Sequence, residues 1–208
     1  DANNNLIAAF HPGAMNHAQI NAVPSGAGIT LGIVAPENRD GMLQHAAQFA
    51  AAGVPFIFDP GQGLPLFDGA ELKTFIGQAT WVAVNDYEAS MLCERTSLTV
   101  EQIAAQVKAL IVTRGGEGSY IYADGQRLEI PVAKPRRIED PTGCGDAYRA
   151  GLLFGLQRGL DWPTTGRVAS LMGAVKIEHH GTQNHRIGVS EFSARYRESF
   201  GEAFGTSL

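Results

Sequence analysis

The chain has 208 residues, 44% of them apolar and 18% charged, and carries a net charge of −5 at pH 7. This length and balance suit one folded domain with a sizeable core, and exclude a disordered or fibrous chain. The acidic balance, with no basic run beyond the short Lys134-Pro135-Arg136-Arg137 cluster, speaks against a nucleic-acid partner. No stretch reaches the roughly 18 consecutive apolar residues of a membrane span, so no membrane partner is expected. Two cysteines, Cys93 and Cys144, make no disulfide framework. With no signal-peptide pattern at the start, a reduced, cytoplasmic protein is the expectation.

In chain order, Leu6 to Phe10 reads as a strand, and His11-Pro12-Gly13-Ala14 as a turn. Ile29 to Val34 is predicted as a strand. Asp40 is predicted to cap a helix with Leu43, Ala46 and Ala50 on one face, ended by Gly53. Val54 to Asp59 is a strand closed by Pro60-Gly61, followed by a helix over 70–78, a strand over 80–84 and a helix over 87–93. Thr99 with Gln102 forms a capping box ahead of Ile103, Val107 and Leu110, which have helical spacing. Leu110 to Thr113 is a buried-type strand. Segments 119–123 and 127–132 alternate around Asp124-Gly125, a hairpin signal. Ala147 to Gln157 is an apolar helix; Val168, Leu171, Met172 and Val175 mark another; Ser190 caps a last one with Phe192, Tyr196 and Phe200 on one face.

Strands alternating with helices predict an α/β domain: a mostly parallel sheet in three α/β/α layers. Ligands bind such sheets at the carboxyl ends of the strands, where Asp59, Asn85, Thr113 and Asp146 are expected to gather.

The stretch Asp140-Pro141-Thr142-Gly143-Cys144-Gly145-Asp146 carries the most chemistry. Its glycines let a ligand approach backbone amides, and free amides at a helix start form an anion site. Asp146 beside that site could take a proton from an attacking hydroxyl; a capped helix after a glycine turn explains the same residues structurally. Cys144 is open to two readings: a thiol made reactive by the helix start, or a buried inert residue. Thr113-Arg114-Gly115-Gly116-Glu117-Gly118 follows a strand and reads as a phosphate contact or as a turn into a hairpin. Asn85 caps a helix whether or not it has a further role. His179-His180-Gly181-Thr182-Gln183-Asn184-His185 lacks a carboxylate or cysteine at zinc-ligand spacing. No dinucleotide fingerprint, P-loop or nucleophile elbow is present.

Residues 140–153, Asp-Pro-Thr-Gly-Cys-Gly-Asp-Ala-Tyr-Arg-Ala-Gly-Leu-Leu, closely resemble the C-terminal signature of the ribokinase-like (PfkB) small-molecule kinases. Cys144 departs from the Ala, Gly or Ser usual there. The resemblance covers the central and C-terminal parts of that fold, with the N-terminal strands and most of the lid missing. Residues 1–208 then form a single ribokinase-like domain, with 1–14 a remnant of the lid, and further chain is expected before Asp1. The resemblance implies transfer of the γ-phosphoryl group of ATP to a primary hydroxyl of a nucleoside such as adenosine. A sugar acceptor, or a non-catalytic nucleotide-binding fragment, stays open, as does a homodimer. It implies Asp146 as general base and the amides of Gly143, Cys144 and Gly145 as holders of phosphate charge. Thr113, Gly115, Gly116, Gly118 and Gly181 would contact nucleotide. Asn85 and Glu88 would order water on Mg²⁺, and Asp140 with the Thr142 carbonyl would hold K⁺. Phe10 could stack on a base or pack in a core.

Overall fold

The computed structural model describes residues 11–24 and 28–205. The expected lid strand and Phe10 lie outside these residues.

Six strands form one sheet in chain order: β1 (Gly32–Val34), β2 (Phe56–Phe58), β3 (Trp81–Asn85), β4 (Ala109–Thr113), β5 (Ser119–Ala123) and β6 (Gln126–Ile130). The first four pair in parallel; β5 pairs antiparallel with β4, and β6 antiparallel with β5. The reversal comes at the loop after β4, where Gly115 and Gly118 take positive φ, 53° and 84°. Asp124 and Gly125, at positive φ of 51° and 72°, then make the two-residue hairpin turn from β5 to β6.

Helices α1 (Arg39–Ala51), α2 (Gly69–Gln78), α3 (Asp86–Thr96) and α4 (Val100–Ala104) connect the parallel strands. Right-handed crossovers that step the same way along a sheet place their helices on one face. After β6 the chain crosses over and lays α5 (Cys144–Arg158) and α6 (Trp162–Ile177) on the opposite face, with α7 (Val189–Phe200) packed on α6.

The strands show why both faces are covered. Phe56, Phe58, Val82, Val84, Leu110 and Val112 join the core under α1–α4; Ile57, Ala83, Ala109 and Ile111 alternate with them and join the core under α5 and α6. That is period-two side-chain direction in strands apolar on both sides.

Several expectations shift in the structure. The helix capped by Thr99 spans only Val100–Ala104, so of the three residues expected to share its spacing Val107 lies beyond it and Leu110 in β4. The cap of α1 is Asn38, whose side chain accepts from the Gly41 amide, not Asp40. Its buried residues are Gly41, Met42 and Ala46, while Leu43 is half-buried and Ala50 exposed, so the inward face is rotated from the expected one. The last helix starts at Val189 behind Gly188, not at a Ser190 cap. The strand expected over 29–34 is confined to Gly32–Val34. Among the described residues no helix is long and apolar enough to cross a membrane.

Helices α5 and α6 approach closely because glycines line the contact. A Cβ on Gly151 would lie 2.5 Å from the Ala169 Cα, and one on Gly155 would lie 2.5 Å from the Thr165 hydroxyl. Gly151→Ala should therefore lower stability by about 1–3 kcal/mol through overpacking, despite alanine's better helix propensity. Gly77 in α2 is the control: it has open space around it, so Gly77→Ala should raise stability by up to about 1 kcal/mol. Urea unfolding of the two variants reads the opposite signs directly.

Candidate active site

Helix α5 starts differently from α1–α4 and α6. Those five carry side-chain caps from Asn38, Asp68, Asn85, Thr99 and Asp161. The cap residue of α5 is Gly143, at φ 85°, with no side chain to offer. The first helical bond runs from the Ala147 amide to the Gly143 carbonyl, 3.0 Å. The Cys144 amide donates to the Pro141 carbonyl at 3.1 Å and closes the turn, which corrects its expected place among the outward amides. Gly145 and Asp146 then head a helix of 15 residues, with the positive end of its dipole behind them. Both are exposed.

Asp140 holds this turn in shape. Its carboxylate accepts from the Thr142 amide at 2.9 Å and from the Gly181 amide at 2.8 Å. Hydrogen bonds from the Thr142 amide and hydroxyl, then from the Gly181 amide, hold its carboxyl far below the usual carboxylate range. Gly181, at φ 78°, thereby lies against the turn, and a Cβ on Gly143 would come 3.3 Å from the Thr182 Cα. Asp140, Thr142, Gly143 and Gly181 are one structural unit.

The Cys144 thiol is pushed up by burial, with Asp140 and Asp146 adding to the rise and Lys176 opposing it. That direction favours the buried, less reactive of the two readings of this thiol.

Long-range contacts bind α5 to the carboxyl edge of the sheet. Arg149 forms a bidentate pair with Asp59 at the end of β2: Nε to Oδ2 at 2.8 Å and Nη2 to Oδ1 at 2.9 Å. The two side chains are 10% and 9% exposed. The Tyr148 hydroxyl lies 2.7 Å from that of Ser119, which sits opposite Thr113 in the β4–β5 register. Burial pushes the Tyr148 phenol up to about 12, so it stays a neutral partner. Asn85 and Thr113 are register neighbours across β3 and β4. Asp59, Asn85 and Thr113 thus lie along one edge. Asp146 precedes Arg149 by one turn of α5, so the ion pair sets its position against that edge.

Asn85 and Glu88 form a reciprocal capping box at the start of α3. The Asn85 side chain accepts from the Glu88 amide at 2.7 Å, and Glu88 Oε2 accepts from the Asn85 amide at 2.8 Å. Burial raises the Glu88 carboxyl above its ordinary range, against the pull of the Asn85 amide and the Arg149 guanidinium. The nearby Asp59 and Asp86 carboxylates raise it further.

In the loop after β4 the glycines divide. Gly115 and Gly116 are exposed, with open space around them. A Cβ on Gly118 would sit 2.2 Å from the Ile130 carbonyl oxygen, so Gly118 is required by the hairpin itself. Its amide bonds to the Gly115 carbonyl. Arg114 lies 3.9 Å over the Tyr120 ring and pairs with Glu117. The Thr113 hydroxyl donates back to the Val84 carbonyl at 3.4 Å. The crest at Gly115-Gly116 is the part of this loop open to a ligand.

Sequence reasoning missed Arg149 and Lys176 as site residues. Each had a signal. Arg149 stands within the buried stripe of Ala147, Tyr148, Gly151, Leu152 and Gly155. Lys176 follows Met172 by four residues on the packed side of α6 and is wholly buried.

The profile of the pfkB family carbohydrate kinases matches residues 2–187. The chain belongs to that family. Its fold superposes on Burkholderia thailandensis nucleoside kinase, solved in complex with inosine, with a TM-score of 0.94 and 51% identity. That match covers 97% of this chain and 66% of the other; the same protein is also solved with ADP-inosine. The nucleoside kinase of Methanothermobacter thermautotrophicus is 31% identical over 204 residues, 97% of this chain and 65% of that protein. The Methanocaldococcus jannaschii nucleoside kinase structure gives a TM-score of 0.83 at 27% identity, over 89% of this chain and 61% of that one. The chain therefore spans just under two thirds of the length of these family members.

Proposed function

We propose that the protein transfers the γ-phosphoryl group of ATP to a primary hydroxyl of a nucleoside. The observation that carries this reading is the 51% identity to a nucleoside kinase solved with inosine, sustained over 97% of this chain. The local geometry supports it: an uncapped helix start, a stapled glycine turn and an exposed carboxylate in its first turn.

The steps follow from these groups. An Asp146 carboxylate oxygen accepts the hydroxyl proton, and the hydroxyl oxygen bonds to the γ-phosphorus. The bond from that phosphorus to the β–γ bridging oxygen breaks, and ADP leaves with the electron pair. The Gly145 and Asp146 amides, with the helix dipole behind them, hold the charge on the transferring oxygens. The Gly115-Gly116 crest and the Gly181 segment flank the nucleotide. Asn85 and Glu88 fit an outer role toward Mg²⁺. One Glu88 oxygen is taken up by the cap, and a partly buried acid beside Arg149 suits holding metal-bound water better than forming a protein cage. When bound, the ion supplies positive charge to the phosphate oxygens.

An ADP-release assay with inosine and adenosine set against ribose and fructose tests the proposal. Turnover on nucleosides well above that on the free sugars is expected. Turnover on sugars alone would replace the nucleoside by a sugar acceptor. ATP binding without turnover on any acceptor would leave a nucleotide-binding protein.

A further inference from the structure

The family resemblance implies a potassium ion on Asp140 and the Thr142 carbonyl. Potassium is held by oxygens that replace its water shell, backbone carbonyls above all. Here the carbonyl of Asp140 already has a cation on it. Lys176 Nζ donates to the Asp140 carbonyl at 2.7 Å and to the His179 carbonyl at 3.1 Å. The Asp140 carboxylate is engaged by the Thr142 and Gly181 amides. Both Asp140 groups of that donor set are thus engaged, and a potassium ion sharing the Asp140 carbonyl would meet the like charge of the ammonium. The residues do not fit a potassium ion.

The placement of Lys176 is itself unusual. It sits in the last turn of α6, where a lysine normally reaches solvent with its stem along the surface. Instead it is 0% exposed. Its reach joins two segments that make the anion turn: Asp140 at the start of the turn, and His179 just before Gly181. A lysine ammonium is a compact point charge with three donors, suited to gathering carbonyl oxygens as a monovalent cation does.

We propose that Lys176 is a positioning residue whose ammonium takes the place of the family's potassium ion, so that the 140–146 turn keeps its anion-binding shape without a monovalent cation. The inference rests on the kinase reading for its catalytic arm, and the test has a second arm that does not.

The active enzyme is assayed in choline chloride and in potassium chloride at equal ionic strength, as wild type and as Lys176→Met, which keeps the stem and removes the charge. Wild-type turnover should agree between the two salts within about two-fold, because an ion with no site on the folded protein shifts nothing by mass action. Lys176→Met should lose turnover in choline and regain part of it in potassium. Melting temperature is measured in parallel: potassium over choline should leave the wild type unmoved and raise the variant. Activation of the wild type by about ten-fold or more in potassium, or a potassium-specific rise in its melting temperature, overturns the proposal. So does a Lys176→Met variant with wild-type turnover in both salts. If the variant does not fold, the two wild-type comparisons still decide. If no acceptor is phosphorylated in any salt, the kinase reading fails while the melting arm still tests the ammonium's role.

Discussion

Asp146→Asn is expected to lower turnover by about 10²–10⁴-fold, the usual loss when general-base help is removed, with nucleotide affinity unchanged or slightly tighter. Asparagine keeps the size and polarity of the side chain but cannot accept a proton at neutral pH. Under the proposed mechanism affinity is spared, because the amides that would face phosphate belong to the backbone and one negative charge beside them is gone. The structure also bounds what the substitution does to folding. The helix starts at Gly143 with no side-chain cap, so Asp146 is not the residue that closes it. It is exposed, and its contribution to the helix is that of an acid in the first turn, about 0.3–1 kcal/mol. A melting shift of only a few degrees should accompany the kinetic loss. Turnover, the ATP dissociation constant and the melting temperature are measured on one preparation. A variant with near wild-type turnover removes Asp146 from the mechanism and leaves it as a charge at a helix start.

The second large effect concerns the Asp59–Arg149 pair. Breaking it by Arg149→Met should cost about 3–5 kcal/mol of stability, the range for removing one partner of a buried ion pair. Both side chains are about nine-tenths buried and joined by two hydrogen bonds, so the remaining partner cannot recover its hydration in place. Arg149→Met should be the harsher change. It leaves the Asp59 carboxylate unpaired and within electrostatic reach of Glu88, whose carboxyl burial has already raised. Asp59→Leu leaves the guanidinium with Glu88 nearby, so its loss should be smaller. Asp59→Leu combined with Arg149→Met removes both charges and should recover most of the stability, since an apolar pair of similar volume can match a buried ion pair. The double variant should nevertheless be slow, because the pair fixes α5, and Asp146 with it, against the carboxyl end of β2. Urea unfolding of the four proteins gives the coupling. Additive losses across the cycle would show that solvent reaches the site and that the pair does not hold the helix.

These two predictions rest on different kinds of knowledge. Asp146 was legible in the sequence because its surroundings are contiguous. The turn from Asp140 to Asp146 is built by residues a few positions apart: two glycines, and an aspartate whose side chain bonds two residues on. The same holds for the capping boxes at Asn85–Glu88 and Thr99–Gln102, and for the Asp124-Gly125 hairpin that turns β5 into β6. Strand periodicity fixed the α/β layering because residues apolar on both sides have to be covered on both sides.

Rotations and starting points of helices were less secure where two local solutions compete. Asn38 and Asp40 are both good caps. A side-chain bond from Asn38 to Gln19 and its acceptance from the Gly41 amide go with the earlier start. With that start, Met42 in place of Leu43 faces the sheet, a rotation of one residue that period alone does not resolve.

What the sequence by itself determined is the layered sheet, the glycine turn and the acid beside it, since short-range geometry and hydrophobic period are properties of the local chain. Only the tertiary structure decided how that turn is held. Arg149 meets Asp59 across 90 residues, Lys176 meets the Asp140 carbonyl across 36, and Tyr148 meets Ser119 across 29. A buried charge has to find a partner wherever the fold brings one, and no local pattern says which partner that is.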